Sequence, residues 1–416
     1  MRMTRRLLER FALIAFGLYH IPLFLNNYPS LGGGGFNDTG LAPLWGHVFT
    51  VPGIYVARHL FGMTGPMPGA NAGDNGDVGE EFARLLLAVV IGVIGAVVWT
   101  MADRKRPRAQ WVEGALKLLL RYSLALGLAS YAVAKLLPQQ FPPLTVSSLE
   151  VRVGDLTPMR LLWNFMQYSR PYAFFGGLME MTAVLLLCFR RTATLGALVC
   201  LAVMTNVALL NLAYGVQVKL YSLMLVVSAA VLVLYDLPRL LAMFVTNAPV
   251  PPAPLTPDVQ DRIPDGPRWV IKVVLVGSVL VSSVMAMNSG SPEPLGPAAT
   301  VNGAWVLTAF ARDGQALETT GNPARWRRLI VENGGVLIRL ESDSLMRCRR
   351  MPSTPPAGLK LACSRNRTGE LNWTRNGDVL QLDGTFDGAK VTATGQYVNR
   401  SDYPLWRSGF RWIYDR

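Results

Sequence analysis

Glu180 stands in the run G-G-L-M-E-M-T-A-V-L-L-L (residues 176–187), a carboxylate among small and apolar neighbours. Lys135 lies near the end of a similar run, with Tyr131 one helical turn before it, and Lys219 lies a turn inside a third. Asn206 and Asn211, His20 beside Tyr19, and Arg84 are the other polar residues embedded in apolar sequence. A carboxylate with two ammonium groups can form a structural ion pair. It can equally hold a polar ligand, with lysine and amide donors polarising carbonyl oxygens while the carboxylate exchanges protons. For Lys135, Lys219 and Arg84 there is a plainer account: long cationic side chains near the end of an apolar run extend their heads to water. Glu180 has a short stem and sits mid-run, so it calls for a partner, and Lys135 and Lys219 are the two candidates. No metal site is expected. The acidic stretch D-N-G-D (residues 74–77) lacks the spacing and closing Glu of a calcium loop and reads as solvated.

These residues need elements to hold them, and the composition says which. Of 416 residues, 51% are hydrophobic and only 16% charged, against roughly 25% charged in soluble domains. The apolar residues come in blocks near the ~20 that cross a ~30 Å hydrocarbon core. Spans are expected at residues 7–26, 82–102, 116–137, 171–189, 192–212, 216–234 and 269–288. A cleaved signal peptide shares the basic start of the first block, but no small-x-small site follows, so a retained helix is expected.

The net charge of +13 is concentrated beside these blocks, at Arg2, Arg5, Arg6 and Arg10 and at Arg104, Lys105, Arg106 and Arg108. Such tracts read as topology signals and contacts with anionic lipid of the bilayer, not as a nucleic-acid surface. Alternate loops differ sharply in Lys and Arg. The richer set (the N-terminus, residues 103–114, 190–191 and 236–268) is expected in the cytoplasm, which places everything after the seventh span outside the inner membrane, in the periplasm.

After residue 300 the pattern changes to short alternating runs, among them W-V-L-T-A-F, G-V-L-I-R-L-E and A-K-V-T-A-T-G. Asn333-Gly334, Asn376-Gly377, Asp383-Gly384 and Asp387-Gly388 supply hairpin turns. Seven or eight strands suit a small all-β barrel or sandwich. Gly303-Ala304-Trp305 resembles the G-x-W start of lipocalin-like barrels, although a Trp plugging any barrel end gives the same pattern. Cys348 and Cys363 fall in neighbouring strand-like runs of this exported region, where a disulfide or two buried thiols are the alternatives. The expected fold is thus an α-helical membrane bundle of about seven helices followed by a small β-domain. It divides into N-terminal helices with a long outer loop (1–115), a helical core (116–235), a Pro-rich cytoplasmic linker (236–268), a seventh helix (269–288) and an exported β-domain (300–416).

Y-A-V-A-K-L (131–136), the Glu180 run, R-R-T-A-T-L-G-A-L (190–198) and N-V-A-L-L-N (206–211) together resemble the DoxX-like four-helix membrane module. The chain as a whole resembles the longer bacterial DoxX-like membrane proteins, including an aromatic segment at residues 409–413; it departs from them in lacking the acidic, then P-x-N-R tail. Some DoxX relatives are linked to quinone-dependent sulfur oxidation or to redox maturation of exported proteins, and a distant likeness to vitamin K-dependent carboxylases has the same flavour. The resemblance therefore implies a quinone cofactor, with no catalytic residue assigned. Three functions are expected to compete: a non-enzymatic envelope protein whose periplasmic β-domain binds a protein partner or ligand, a quinone-associated redox subunit with an outer-half polar pocket, and a transporter. The sequence leaves open whether the protein is an enzyme.

Overall fold

The structure, a computed structural model, describes residues 2–26, 51–62, 77, 79–103, 110–250, 273, 277, 281, 301–318, 322–332, 334–351 and 358–407. The chain forms two compact units, Met1–Pro143 with Thr157–Ser289, and Leu144–Leu156 with Gly290–Arg416. One is a helical membrane unit and the other contains a C-terminal antiparallel β-barrel.

The helical unit begins with α1 (Arg2–Asn26), followed by α2 (Val51–Phe61), α3 (Gly79–Ala102) and α4 (Gln110–Leu136). Between residues 144 and 156 the chain supplies the short α5 (Val146–Leu149) to the other unit. It returns as α6 (Pro158–Tyr168), α7 (Arg170–Cys188), α8 (Ala193–Ala213) and α9 (Lys219–Phe244). Among the described residues five helices are long and apolar enough to cross a membrane: α3, α4, α7, α8 and α9. They fall where the second to sixth apolar blocks place them. The 25-residue α1 carries Arg5, Arg6, Glu9 and Arg10 in its first three turns, which shortens its apolar part. The seventh block lies almost wholly outside the described residues.

Three expectations change. The sixth span does not stop at residue 234: α9 continues through Pro238 to Phe244, so the first part of the expected linker is helix. The loop after the third span contains the helix α6, which buries Leu162 and Met166 and exposes Leu161 and Phe165. Arg10, expected as a loop charge, is buried, with its guanidinium on Asp103 at 2.6 Å and over the Trp99 ring.

The bundle core is built around α4, whose Leu116, Leu120, Leu124 and Leu128 repeat every four residues and are 1% exposed or less. α4 and α7 pack side by side, and each caps the other. The buried Arg121 of α4 donates to the carbonyls of Leu187 (3.0 Å) and Cys188 (3.3 Å) at the end of α7. Arg170 at the start of α7 donates to the Lys135 carbonyl (3.2 Å) at the end of α4. A cation there satisfies carbonyls that have no partner within their own helix and offsets the negative end of the helix dipole.

In the second unit, strands β1 (Gly303–Arg312), β2 (Gln315–Ala316), β3 (Trp326–Glu332), β4 (Gly335–Leu340), β5 (Leu345–Met351), β6 (Gly358–Cys363), β7 (Thr368–Asn376), β8 (Val379–Phe386) and β9 (Ala389–Val398) form one antiparallel meander. Pairing of β1 with β9 closes it, and β2 is a two-residue flap on β1, so the barrel has eight staves. Closure leaves no open edge, the usual liability of an all-β domain. The Asp387-Gly388 pair has positive φ at both residues, as a tight hairpin requires. Asp383-Gly384, expected as a turn, instead lies within β8: a Cβ at Gly384 would come 2.1 Å from the Glu370 carbonyl, so the glycine serves close strand approach. β5 reads L-M-R-C-R-R-M, and its arginines hid it from a search for apolar runs.

The barrel interior is filled by side chains, with Trp305 fully buried and donating its Nε1–H to the Val301 carbonyl at 3.0 Å. The Arg375 guanidinium lies over both the Trp305 and Tyr397 rings, so this end is plugged. Cys348 and Cys363 are register partners on β5 and β6 and are joined by a disulfide.

Candidate functional site

In the helical unit the polar residues resolve into separate pairs. Lys135 Nζ reaches Glu180 Oε1, and both side chains are buried, 8% and 3% exposed. Their meeting depends on Gly177. A Cβ there would lie 2.8 Å from the Lys135 Cβ and 2.9 Å from the Leu136 amide nitrogen, so only glycine lets α7 approach α4 closely enough. The second oxygen, Oε2, is buried and has no hydrogen-bond partner among the described residues.

Lys219, the other candidate for Glu180, has a different partner. Its ammonium lies 2.9 Å from Asp77, which also accepts the backbone N–H groups of Lys219 (3.0 Å) and Leu220 (2.9 Å). α9 has no side-chain cap of its own at Val218, and Asp77 supplies one from 142 residues earlier. Burial pushes the Asp77 carboxyl up, but these three hydrogen bonds and the ammonium outweigh it and hold the carboxyl below its usual range. The acidic stretch is therefore not simply solvated. Arg84 pairs with Glu81 at 2.8 Å, one turn away.

His20 is fully buried, with Nε2 3.1 Å from the Ser228 hydroxyl of α9, and it stacks on Phe16 and meets Tyr19 edge-on. Tyr131 packs against the bundle core with its ring 6.3 Å from Tyr221. Asn211 is buried, but Asn206 is exposed on the other side of α8, so the two amides do not converge. Each cation expected in one outer-half pocket thus has its own carboxylate, and the constellation does not assemble. Tyr221 and Ser228, which sequence reasoning missed, are polar residues on the buried face of α9. No group of three or more His, Cys, Asp or Glu that could hold a metal occurs among the described residues.

The second unit contains a site with no counterpart in the sequence reading. Glu150, from the segment between α4 and α6, is 5% exposed; it accepts from Arg328 and from the Tyr403 hydroxyl at 2.6 Å, and it forms an ion pair with Arg339, whose Nε lies 3.4 Å away. Asp343 gathers Arg152, Arg327 (3.1 Å) and Arg339 (3.3 Å). Ser147 donates its amide and hydroxyl to Glu332. Val146 packs with Ala304, Ile330 and Leu337 on the outside of the barrel, which explains why Ile330 and Leu337 are apolar and buried there. Burial pushes the Tyr403 hydroxyl up, and its hydrogen bond to the Glu150 carboxylate adds to the shift. On another part of the barrel, a groove of about 380 Å³ is lined by exposed Asn372, Gln381, Asp383 and Thr392 with Ala309 and Ala316.

No protein-family model matches the chain, and no solved structure matches it. Over 133 residues it is 29% identical to an uncharacterized protein, YwoB, of Bacillus subtilis (strain 168), covering 32% of this chain and 84% of that relative. The fold defines a multi-pass membrane protein with a C-terminal β-barrel.

Proposed function

We propose that this is a non-enzymatic bacterial envelope protein, with a DoxX-like helical module in the inner membrane that anchors a periplasmic β-barrel for binding a partner or ligand. The observation that carries this reading is the inclusion of Leu144–Leu156 in the barrel unit through the buried Glu150. A barrel joined to the helices only through the segment before residue 290 would be a tethered module; this one also incorporates the loop between α4 and α6, so the chain enters it twice. The same feature supports the topology expected from loop charges, since that loop and the barrel must share one face of the membrane. The groove lined by residues of β1, β2, β7, β8 and β9 is the proposed binding surface. Asn372, Asp383, Thr392 and the alanines on it are short and lose little rotamer freedom on contact.

A photoreactive residue at Gln381 or Thr392 should crosslink a partner in intact cells, while one at Arg347 on β5 should not. Alkaline phosphatase fused after Arg416 should be active. Equal crosslinking from both positions, or an inactive phosphatase beside an active cytoplasmic reporter, refutes the proposal.

A second reading, a quinone-associated redox subunit, is favoured by one observation. Glu180 Oε2, the Tyr221 hydroxyl and His20 Nδ1 are buried without hydrogen-bond partners among the described residues, and ionisable groups inside a bundle often mark proton paths. Solvent extraction of the purified protein should then release a stoichiometric quinone.

A further inference from the structure

Helix α6 carries three faces. At about 100° per residue, Met159, Leu162, Trp163 and Met166 fall on the first, Arg160, Asn164 and Gln167 on the second, and Leu161, Phe165 and Tyr168 on the third. The first face is packed. Leu162 and Met166 are buried in one cluster with Phe141, Ala173 and Val216, joined by Tyr214 and Val218 at its edge. These partners all mark helix ends: Phe141 follows α4, Ala173 lies in the first turn of α7, Tyr214 caps α8, and Val216 and Val218 precede α9. α6 therefore sits where four spanning helices begin or end, the level at which a bilayer passes from hydrocarbon to head groups. Only Ser169 separates it from α7, and that residue is extended (φ −104°, ψ 90°), so α6 does not prolong the span.

The third face is apolar and open, with Leu161, Phe165 and Tyr168 at 42%, 54% and 46% exposure. Phe165 meets Tyr172 of α7 edge-on at 5.5 Å. From Tyr172 the exposed apolar surface continues along α7 through Phe175 to Leu178. A spanning helix shows such a flank to lipid, so the face of α6 extends a lipid-facing surface into the boundary layer. Its composition suits that layer. Aromatic residues, Tyr168 and Tyr172 with hydroxyl tips among them, gather at the boundary, where membrane proteins concentrate them, and give way to Leu178 near the middle of α7. The polar face carries the exposed Arg160, whose guanidinium suits head-group phosphates. A foreign helix seated on α7 would leave the apolar face of α6, which lies beyond the span, unexplained.

We propose that α6 is an interfacial helix, with Leu161, Phe165 and Tyr168 inserted among the head groups and upper acyl chains of the leaflet at that end of the bundle. The test uses full-length protein in vesicles of phosphatidylethanolamine and phosphatidylglycerol, with Cys188→Ala and Cys200→Ala and the disulfide kept. Nitroxides are placed one at a time by Leu161→Cys, Phe165→Cys and Tyr168→Cys, with Leu178→Cys as the deep reference and Arg347→Cys, exposed on β5, as the aqueous one. Collisions with oxygen and with a water-soluble nickel chelate report depth. The α6 labels should be open to oxygen and shielded from nickel, ~5–10 Å into the boundary between head groups and acyl chains, with Leu178 deeper. Nickel access equal to that at Arg347 would mean that the face meets water. Shielding from both reagents would mean that a second copy or another segment covers it, and a depth equal to that of Leu178 would place it in the span. Each of these overturns the proposal. Wild-type protein gives a reading free of substitutions, through photolabelling by phosphatidylcholine with a diazirine beside the acyl carbonyl or at the chain end. Adducts on residues 158–168 should come mainly from the first probe and those around Leu178 from the second; no adduct on α6, or equal labelling there by both, refutes the interfacial position.

Discussion

Replacing Glu180 by Ala should be among the most damaging single changes in the helical unit. It removes one member of a pair whose side chains are 8% and 3% exposed, leaving the Lys135 ammonium beside apolar α7. Breaking one side of a buried pair costs about 3–5 kcal/mol, a hundredfold or more in the folded fraction at ~1.4 kcal/mol per decade. Glu180→Gln keeps the shape and one acceptor, so it should cost less than Ala. The double change Lys135→Met with Glu180→Leu removes both charges and should recover most of the loss, because an apolar isostere of a buried pair is often neutral or stabilising. Gly177→Ala should mimic the loss without touching either charge. Its Cβ would meet the Lys135 Cβ at 2.8 Å, and overpacking of this kind costs ~1–3 kcal/mol. Thermal unfolding of purified protein in detergent, arranged as a double-mutant cycle over Lys135 and Glu180, measures the coupling directly. Single changes costing less than about 1 kcal/mol, or a coupling near zero, would refute the pairing and return Lys135 to independent contact with water.

Asp77→Ala should destabilise the protein by about 1 kcal/mol, the usual worth of an N-terminal cap. Its carboxyl is held below the usual range, so its contribution is complete above the ordinary carboxylate pKa of ~3.9 and disappears as pH falls through the folded value. The difference in unfolding midpoint between wild type and Asp77→Asn should therefore shrink on acidification from pH 7 and never grow. Glu150→Ala removes the buried carboxylate shared by Arg328, Arg339 and Tyr403, leaving Arg339 only Asp343, and should cost the barrel about 3 kcal/mol, visible as new proteolytic cleavage within residues 144–156; an unchanged digest would remove that segment from the barrel. The Cys348–Cys363 bridge closes a 15-residue separation, for which loop entropy gives about 3 kcal/mol. The double Cys→Ala variant should unfold at correspondingly lower denaturant, and an unchanged midpoint would contradict this.

Local sequence determined the elements that rest on runs. Twenty apolar residues in a row must be helical to satisfy their backbone in lipid, which is why α3, α4, α7 and α8 begin and end within a few residues of the blocks that announce them, α4 apart, whose first turns precede its block. Alternation and turn pairs likewise announced most strands of the barrel, and Glu180 stood out as a carboxylate needing a partner. Which lysine it took was decided elsewhere. Lys135 and Lys219 are equally cationic and both lie near helix ends, but Gly177 brings α4 against α7, while the uncapped start of α9 draws Lys219 to Asp77. Asn206 and Asn211 show the opposite case. Five residues on an α-helix turn about 140°, so their divergence was already implied by their spacing. Nothing local marks Glu150, whose arginine Arg328 lies 178 residues away. Its burial exists only because the chain between α4 and α6 folds onto the barrel, and desolvation by residues so distant in sequence is a property of the tertiary structure alone.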